Sequence, residues 1–170
     1  TLFRSKKIAI IGSGGHADVI IDNLSQKQRN SLIGYIDTAN NGIWRNLPYL
    51  GADYDFLEKN NPKEVNLLLG VSYLGQKVSL ELRKKIISIY TSKGFVFESI
   101  ISNRAILSKS AHIKSGTYVG PGVCINSNVV IESHCIINTG AIIEHDCYIG
   151  KNVQISPGVI LCGSVNVGEH

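Results

Sequence analysis

The chain has 170 residues, 44% of them hydrophobic and 18% charged, with a formal charge of +4. No apolar run approaches the ~20 residues that a membrane-spanning helix needs, and no signal peptide is visible. Lys and Arg outnumber Asp and Glu by 14 to 9 before residue 105 but number 3 against 4 beyond it, a mild basic excess that suits an anionic small molecule and not a nucleic acid.

In chain order, "KKIAIIGSGGHADVIIDNL" predicts a short buried strand over 8–11, a glycine loop, and a helix with apolar spacing at Val19, Ile20 and Leu24. Gly12, Gly14 and Gly15 let the chain turn sharply and come close to a ligand. "SLIGYID" is a second strand ending at Asp37, "YDFLEKN" a short helix, and "EVNLLLGV" a third strand. "GQKVSLELRKKIISIYTSKG" is an amphipathic helix with Val78, Leu82, Ile86 and Ile89 on one face and Gly94 as its stop. "FVFESII" is a last strand. This alternation predicts an α/β unit over 1–100 with a small parallel sheet of Rossmann type.

The loop fits G-x-G-x-x-A at Gly12, Gly14 and Ala17, and Asp37 stands where a ribose-binding acid would. That pattern alone suggests NAD. Against a dehydrogenase, only half of a dinucleotide fold precedes residue 105, and the segment beyond it offers no hydride-transfer domain. Backbone amides at a helix start bind phosphate, so a nucleotide other than NAD is expected.

From Ala105 the chain divides into hexads, AILSKS to VNVGEH, with an aliphatic third residue in all eleven. The first residue is Ala, Thr, Val or Cys, and the last three are rich in Gly, Asn, Ser and Pro. A six-residue period fits neither a helix nor a hairpin array. It fits a parallel β-helix over 101–170, where first and third residues share the inner face and three hexads make one coil. Residues eighteen apart then stack, with Ile125, Ile143 and Leu161 in one column. Ordinary hexads run to the last residue without a polar cap, an end expected of a cut chain. Thr1 and the lack of methionine likewise lead to the expectation that the natural start lies upstream.

His145 takes the fifth slot of its hexad, an outward corner, with small Ser127 and Gly163 stacked beside it. Asp146 follows directly. Glu144 falls in a turn slot and is read as solvated. An imidazole titrates near working pH and suits a general base. The cysteines, Cys124, Cys135, Cys147 and Cys162, show no metal spacing and are read as small buried thiols. Cys147 points inward and Cys162 has no assigned acid or base, so neither is expected to act as a covalent nucleophile. The histidines make no three-ligand pattern, and no metal is expected.

With "IGSGGHADVIID" near the start and "INTGAIIEHDCYIGKNVQISPGVILCGSVNVG" near the end, the chain resembles the bacterial sugar acetyltransferases over nearly its full length. These include sialic acid O-acetyltransferases and UDP-amino-sugar N-acetyltransferases. The resemblance implies a left-handed β-helix, against the usual right-handed rule, a homotrimer, acetyl-CoA as co-substrate, and a cytoplasmic enzyme of surface-glycan synthesis. It implies His145 as base and Asp146 as its orienting acid. Gly12, Ser13, Gly14, Gly15 and His16 would meet the sugar nucleotide, Asp37 would lie toward its nucleoside, and Asn138 near the active site. Gln154, where many relatives have histidine, would lie by the acetyl-CoA thioester. From their place near the His145 corner, Cys162 and Gly163 are also expected at acetyl-CoA, with Gly163 as an oxyanion donor. The expected reaction is N-acetylation of a nucleotide-linked amino sugar. O-acetylation of a sialic or related acid, and a non-catalytic trimeric nucleotide-binding scaffold, are the alternatives.

Overall fold

A computed structural model describes residues 6–73 and 77–169, and the side chains of Lys77 and Val78 lie outside what it describes. The chain divides into two compact units, Thr1–Glu98 and Ser99–His170.

In the first unit, β1 (Lys7–Ile11), β2 (Leu32–Ile36) and β3 (Val65–Leu69) form a parallel sheet in the order β2-β1-β3. β1 is central and apolar throughout its buried length, as a strand covered on both faces requires. Helix α1 (Gly15–Asp22) follows β1. Helix α2 (Gln26–Ser31) is an element the hydrophobic pattern does not reveal, because none of its residues is buried. Its signal is a capping box: Ser25 accepts the Gln28 N–H, and the Gln28 side chain returns to the Ser25 N–H. Helix α3 (Asp53–Lys59) buries Phe56.

Helix α4 (Lys77–Ser92) forms where expected, but on a different face; residues 75–76 lie outside the described residues. Arg83, Ile86 and Tyr90 are buried, whereas Leu82 is 51% exposed. The reason is the aromatic cluster beneath the helix. Tyr90 packs on Phe56, Phe95 and Phe97 and donates to Asp53 Oδ1 at 2.8 Å, which fixes the helix rotation.

The stretch expected as one last strand is divided. Phe97 bridges Leu67 of the sheet, while Ile100–Ile101 pairs with Tyr118–Val119 as the first rung of the second unit. The repeat thus begins one hexad before Ala105.

The second unit is a three-sided parallel β-helix. Two-residue strands form three four-stranded parallel sheets, each pairing residues eighteen apart: Ile125, Ile143 and Leu161 align in one of them. The first and third hexad positions fill the interior, with Val123, Val129, Ala141, Ile143 and Ile149 at or near zero exposure. From residue 116 on, nine corners close on a left-handed sixth residue: Gly116, Gly122, Asn128, His134, Gly140, Asp146, Asn152, Gly158 and Ser164 all have φ between 57° and 72°. Glycine has no steric penalty there, and Asn, Asp and His tolerate it better than other side chains. The sequence therefore specifies the corners as firmly as the core. Two cysteines, Cys135 and Cys147, are buried as expected; Cys124 is half-buried and Cys162 is exposed, because it sits in a corner slot and not an inward one.

Candidate active site

In the first unit the glycine loop and the C-terminal ends of the sheet strands enclose a cavity of about 320 Å³, where open parallel sheets bind ligands. Ser13, Gly14, His16, Asp37, Gly70 and Leu82 are among its lining, so the exposed Leu82 belongs to its wall.

Gly12 makes the turn, with φ +92° and its N–H bonded to the Ile36 carbonyl at 2.7 Å. Gly14 and Gly15 differ: a Cβ on either would meet nothing within 4 Å. No fold requirement keeps them bare, and the space they leave opens to a ligand. Helix α1 begins there, and the start of a helix is where an anion is favoured. Gly70 lies outside the glycine motif, although a glycine just past a strand end at the binding edge is a signal in its own right. A Cβ there would come within 2.6 Å of the Ile11 carbonyl and 2.8 Å of Ala17 Cβ, so Gly70 and Ala17 together let α1 close on the sheet.

Asp37 braces this loop. Its Oδ2 accepts the Ser13 N–H at 2.9 Å and the Ser13 hydroxyl at 2.7 Å, and its Oδ1 accepts the Thr38 N–H at 2.7 Å. Burial pushes the Asp37 carboxyl up, but the hydrogen bonds from Ser13, Thr38 and Ala39 outweigh it and hold it below the usual range. The Ser13 hydroxyl is thus engaged by the protein itself. Burial, with the charge of nearby Arg83 as a second cause, pushes His16 down to about 4, so it is neutral at working pH. Arg83 is itself buried and donates to the Val71 carbonyl.

In the second unit, His145 lies at the corner between the sheet that holds Ile142–Ile143 and the sheet that holds Tyr148–Ile149. Its Nδ1 is 2.8 Å from Asp146 Oδ2, and the two side chains are 61% and 50% exposed. Hydrogen bonds from His145, then from Asn128, hold the Asp146 carboxyl below its usual range. An ionised carboxylate only accepts, so Nδ1 carries the proton and Nε2 presents its lone pair. Gly163, one coil on, is the ring's neighbour: a Cβ there would fall 2.6 Å from both Cε1 and Nε2. The imidazole occupies the space that a side chain at 163 would fill. Glu144 corrects its expectation. It is half-buried, not solvated, and accepts from Asn126 Nδ2 at 2.9 Å.

Cys162 and Gly163 share the His145 corner. Asn138 and Gln154 do not. Asn138 stands at the preceding corner, where Nδ2 donates to the Ile155 carbonyl at 2.7 Å and ties two coils. Gln154 pairs with Ile136 on a different sheet from the one before His145. Among the described residues no group of three His, Cys, Asp or Glu side chains is placed to hold a metal, and no helix is long and apolar enough to cross a membrane.

Residues 7–88 match the PglD N-terminal domain family, and residues 128–163 match the bacterial transferase hexapeptide family. No curated protein sequence matches the chain. Among solved structures, PerB from Caulobacter crescentus in complex with CoA and GDP-perosamine is 29% identical, covered over 98% of this chain and 76% of that one, with a TM-score of 0.82. A GDP-perosamine N-acetyltransferase variant from the same organism is 23% identical, over 98% and 87%, with a TM-score of 0.72. The acetyltransferase domain of PglB from Neisseria gonorrhoeae, in complex with acetyl coenzyme A, is 18% identical, over 98% and 86%, with a TM-score of 0.70. Residues 7–88 thus match an N-terminal domain of the PglD type and residues 128–163 a hexapeptide-repeat segment, in a fold like that of these left-handed β-helix acetyltransferases.

Proposed function

We propose that the chain is an acetyl-CoA-dependent N-acetyltransferase acting on a nucleotide-linked amino sugar. The observation that carries this reading is the His145–Asp146 pair, an oriented imidazole with an open face, in a chain similar to PerB with its bound CoA and GDP-perosamine. The first unit holds the nucleotide through the glycine loop and the start of α1, with Asp37 bracing the loop toward the nucleoside. In the second unit His145 Nε2 takes a proton from the sugar amine as its nitrogen attacks the thioester carbonyl. The N–C bond forms, the C–S bond breaks, and CoA leaves as the thiol, its sulfur taking the proton that the His145 imidazolium gives up. Asp146 stabilises the transient imidazolium. Corner bonds run from the Asp146 N–H to Ser127 O and from the Ser164 N–H to His145 O, which leaves the Gly163 N–H outside that ladder and suited to the oxyanion. Cys162 stands beside it at the acetyl-CoA end.

We further propose a homotrimer. The sheet face leading to the His145 corner carries Ile106, Cys124, Ile142 and Ile160 outward. Ile106 and Ile160 are 69% and 63% exposed. An apolar ladder of this kind suits a subunit contact. It also gives Asn138 and Gln154 a way to serve the site, from a neighbouring copy. Acetyl-CoA and nucleotide sugars are cytoplasmic metabolites, and the enzyme is placed there.

The test is thiol release from acetyl-CoA with GDP-perosamine, a UDP-linked amino sugar and CMP-sialic acid as parallel acceptors. Turnover with an amino-sugar nucleotide supports the reading. Turnover with CMP-sialic acid alone indicates O-acetylation. Nucleotide binding without turnover indicates a scaffold.

A further inference from the structure

We infer that Asn128 is a positioning residue for the base: its side-chain amide grips the far oxygen of Asp146 and so keeps the near oxygen on the imidazole. The inference rests on the reading of His145 as general base.

Asn128 Nδ2 donates to Asp146 Oδ1 at 3.0 Å, while Asp146 Oδ2 meets His145 Nδ1 at 2.8 Å. Each carboxylate oxygen thus has its own partner. The Asp146 side chain is half exposed, and the terminal torsion of an aspartate is broad and soft. One hydrogen bond to a mobile ring would not fix it; a second anchor on the opposite oxygen does. Asn128 is itself seated on the coil below, where its backbone N–H donates to Ser110 Oγ at 3.0 Å and Ser110 Oγ lies 3.1 Å from Ser108 Oγ. Ser110, Asn128 and Asp146 occupy the same sixth slot of three successive coils. The anchor therefore reaches Asp146 along the stacking direction of the solenoid.

The turn alone does not call for this side chain. Asn128 has φ +60°, but the same slot is glycine at 116, 122, 140 and 158 with φ of 68° to 72°. What asparagine adds is an amide donor beneath the acid. Glu144 and its partner Asn126 form the adjacent acid–amide pair at this corner, so the corner carries two such pairs and only one of them holds the histidine.

The test uses Asn128→Gly and Asn128→Asp in the full chain, both compatible with the left-handed backbone. A turn role is served by either. A positioning role is served by neither, because glycine removes the donor and aspartate sets a second carboxylate against Asp146. The expected result is a kcat lower by about tenfold for Asn128→Gly and by more for Asn128→Asp, the order of loss that sub-ångström misplacement of a catalytic group gives. KM for both substrates stays within about twofold, and the melting temperature of Asn128→Gly is unchanged. Wild-type kcat in both variants beside an inactive His145→Ala overturns the inference and leaves the base intact. Wild-type kcat in His145→Ala as well overturns both.

Discussion

The two units build their sites by opposite means. In the first, the candidate site is one irregular turn between β1 and α1, and its shape is secured from outside the motif by Asp37 and by Gly70. In the second, the site is a repeat position. His145 lies at a corner whose backbone is the same as eight others, and only the side chains along one column set it apart. A motif-built site has to be read along the chain; a repeat-built site has to be read across it, eighteen residues at a time.

That contrast predicts where substitutions act. The largest effect is expected of Asp146→Asn. Asparagine keeps the left-handed corner but offers an N–H to Nδ1, which moves the imidazole proton to Nε2. A loss of about 10²–10⁴ in kcat is expected, with unchanged melting. Gly163→Ala comes next. Its methyl group falls on the ring of His145, and because no unusual backbone angle is involved the fold should persist while the base shifts. The expected loss is about 10² in kcat, as for a reacting group displaced by roughly an ångström.

In the first unit the effects turn from rate to stability and binding. His16 is held neutral in the fold down to about pH 4, whereas its ordinary value is 6.5. The unfolded chain therefore binds the extra proton first as pH falls. Stability should be full above pH 6.5 and should decline between 6.5 and 4, by an amount on the order of 3 kcal/mol. Urea unfolding at pH 7.5 and pH 4.5 measures this, and His16→Gln should flatten the difference. The smallest effect is that of Gly14→Ala. With open space around the added methyl and ordinary backbone angles, folding should be unaffected. KM for the sugar nucleotide should rise about tenfold, the equivalent of ~1.4 kcal/mol. A destabilised Gly14→Ala with unchanged KM would make the bare turn a folding device and remove the contrast.

How much is legible in the sequence obeys the same division. The solenoid is open to reading because inward and corner slots recur every six residues and each has its own steric rule. Slot and stacking put His145 on an outer corner beside Asp146 and Gly163, and the family resemblance supplies its reading as a base. Asn128 comes from the same arithmetic applied to Asp146, and it escapes a reading confined to the neighbours of the histidine. In the first unit the strands and the glycine loop are legible. The face of α4 is not, since a buried Arg83 and a buried Tyr90 replace the aliphatic stripe. Nor is the engagement of Ser13 by Asp37, which lies 24 residues away and depends on how two strand ends come together. The split of 95–101 between two units is hidden because Phe97 and Ile100 are equally apolar.

The central claim is that one imidazole at a solenoid corner takes the proton in acetyl transfer. Thiol release from acetyl-CoA in the presence of an amino-sugar nucleotide, compared between the wild-type chain and His145→Ala, tests it most directly. The account predicts that the substitution lowers turnover by at least about 10²-fold while nucleotide binding persists. Turnover equal to that of the wild type would contradict it.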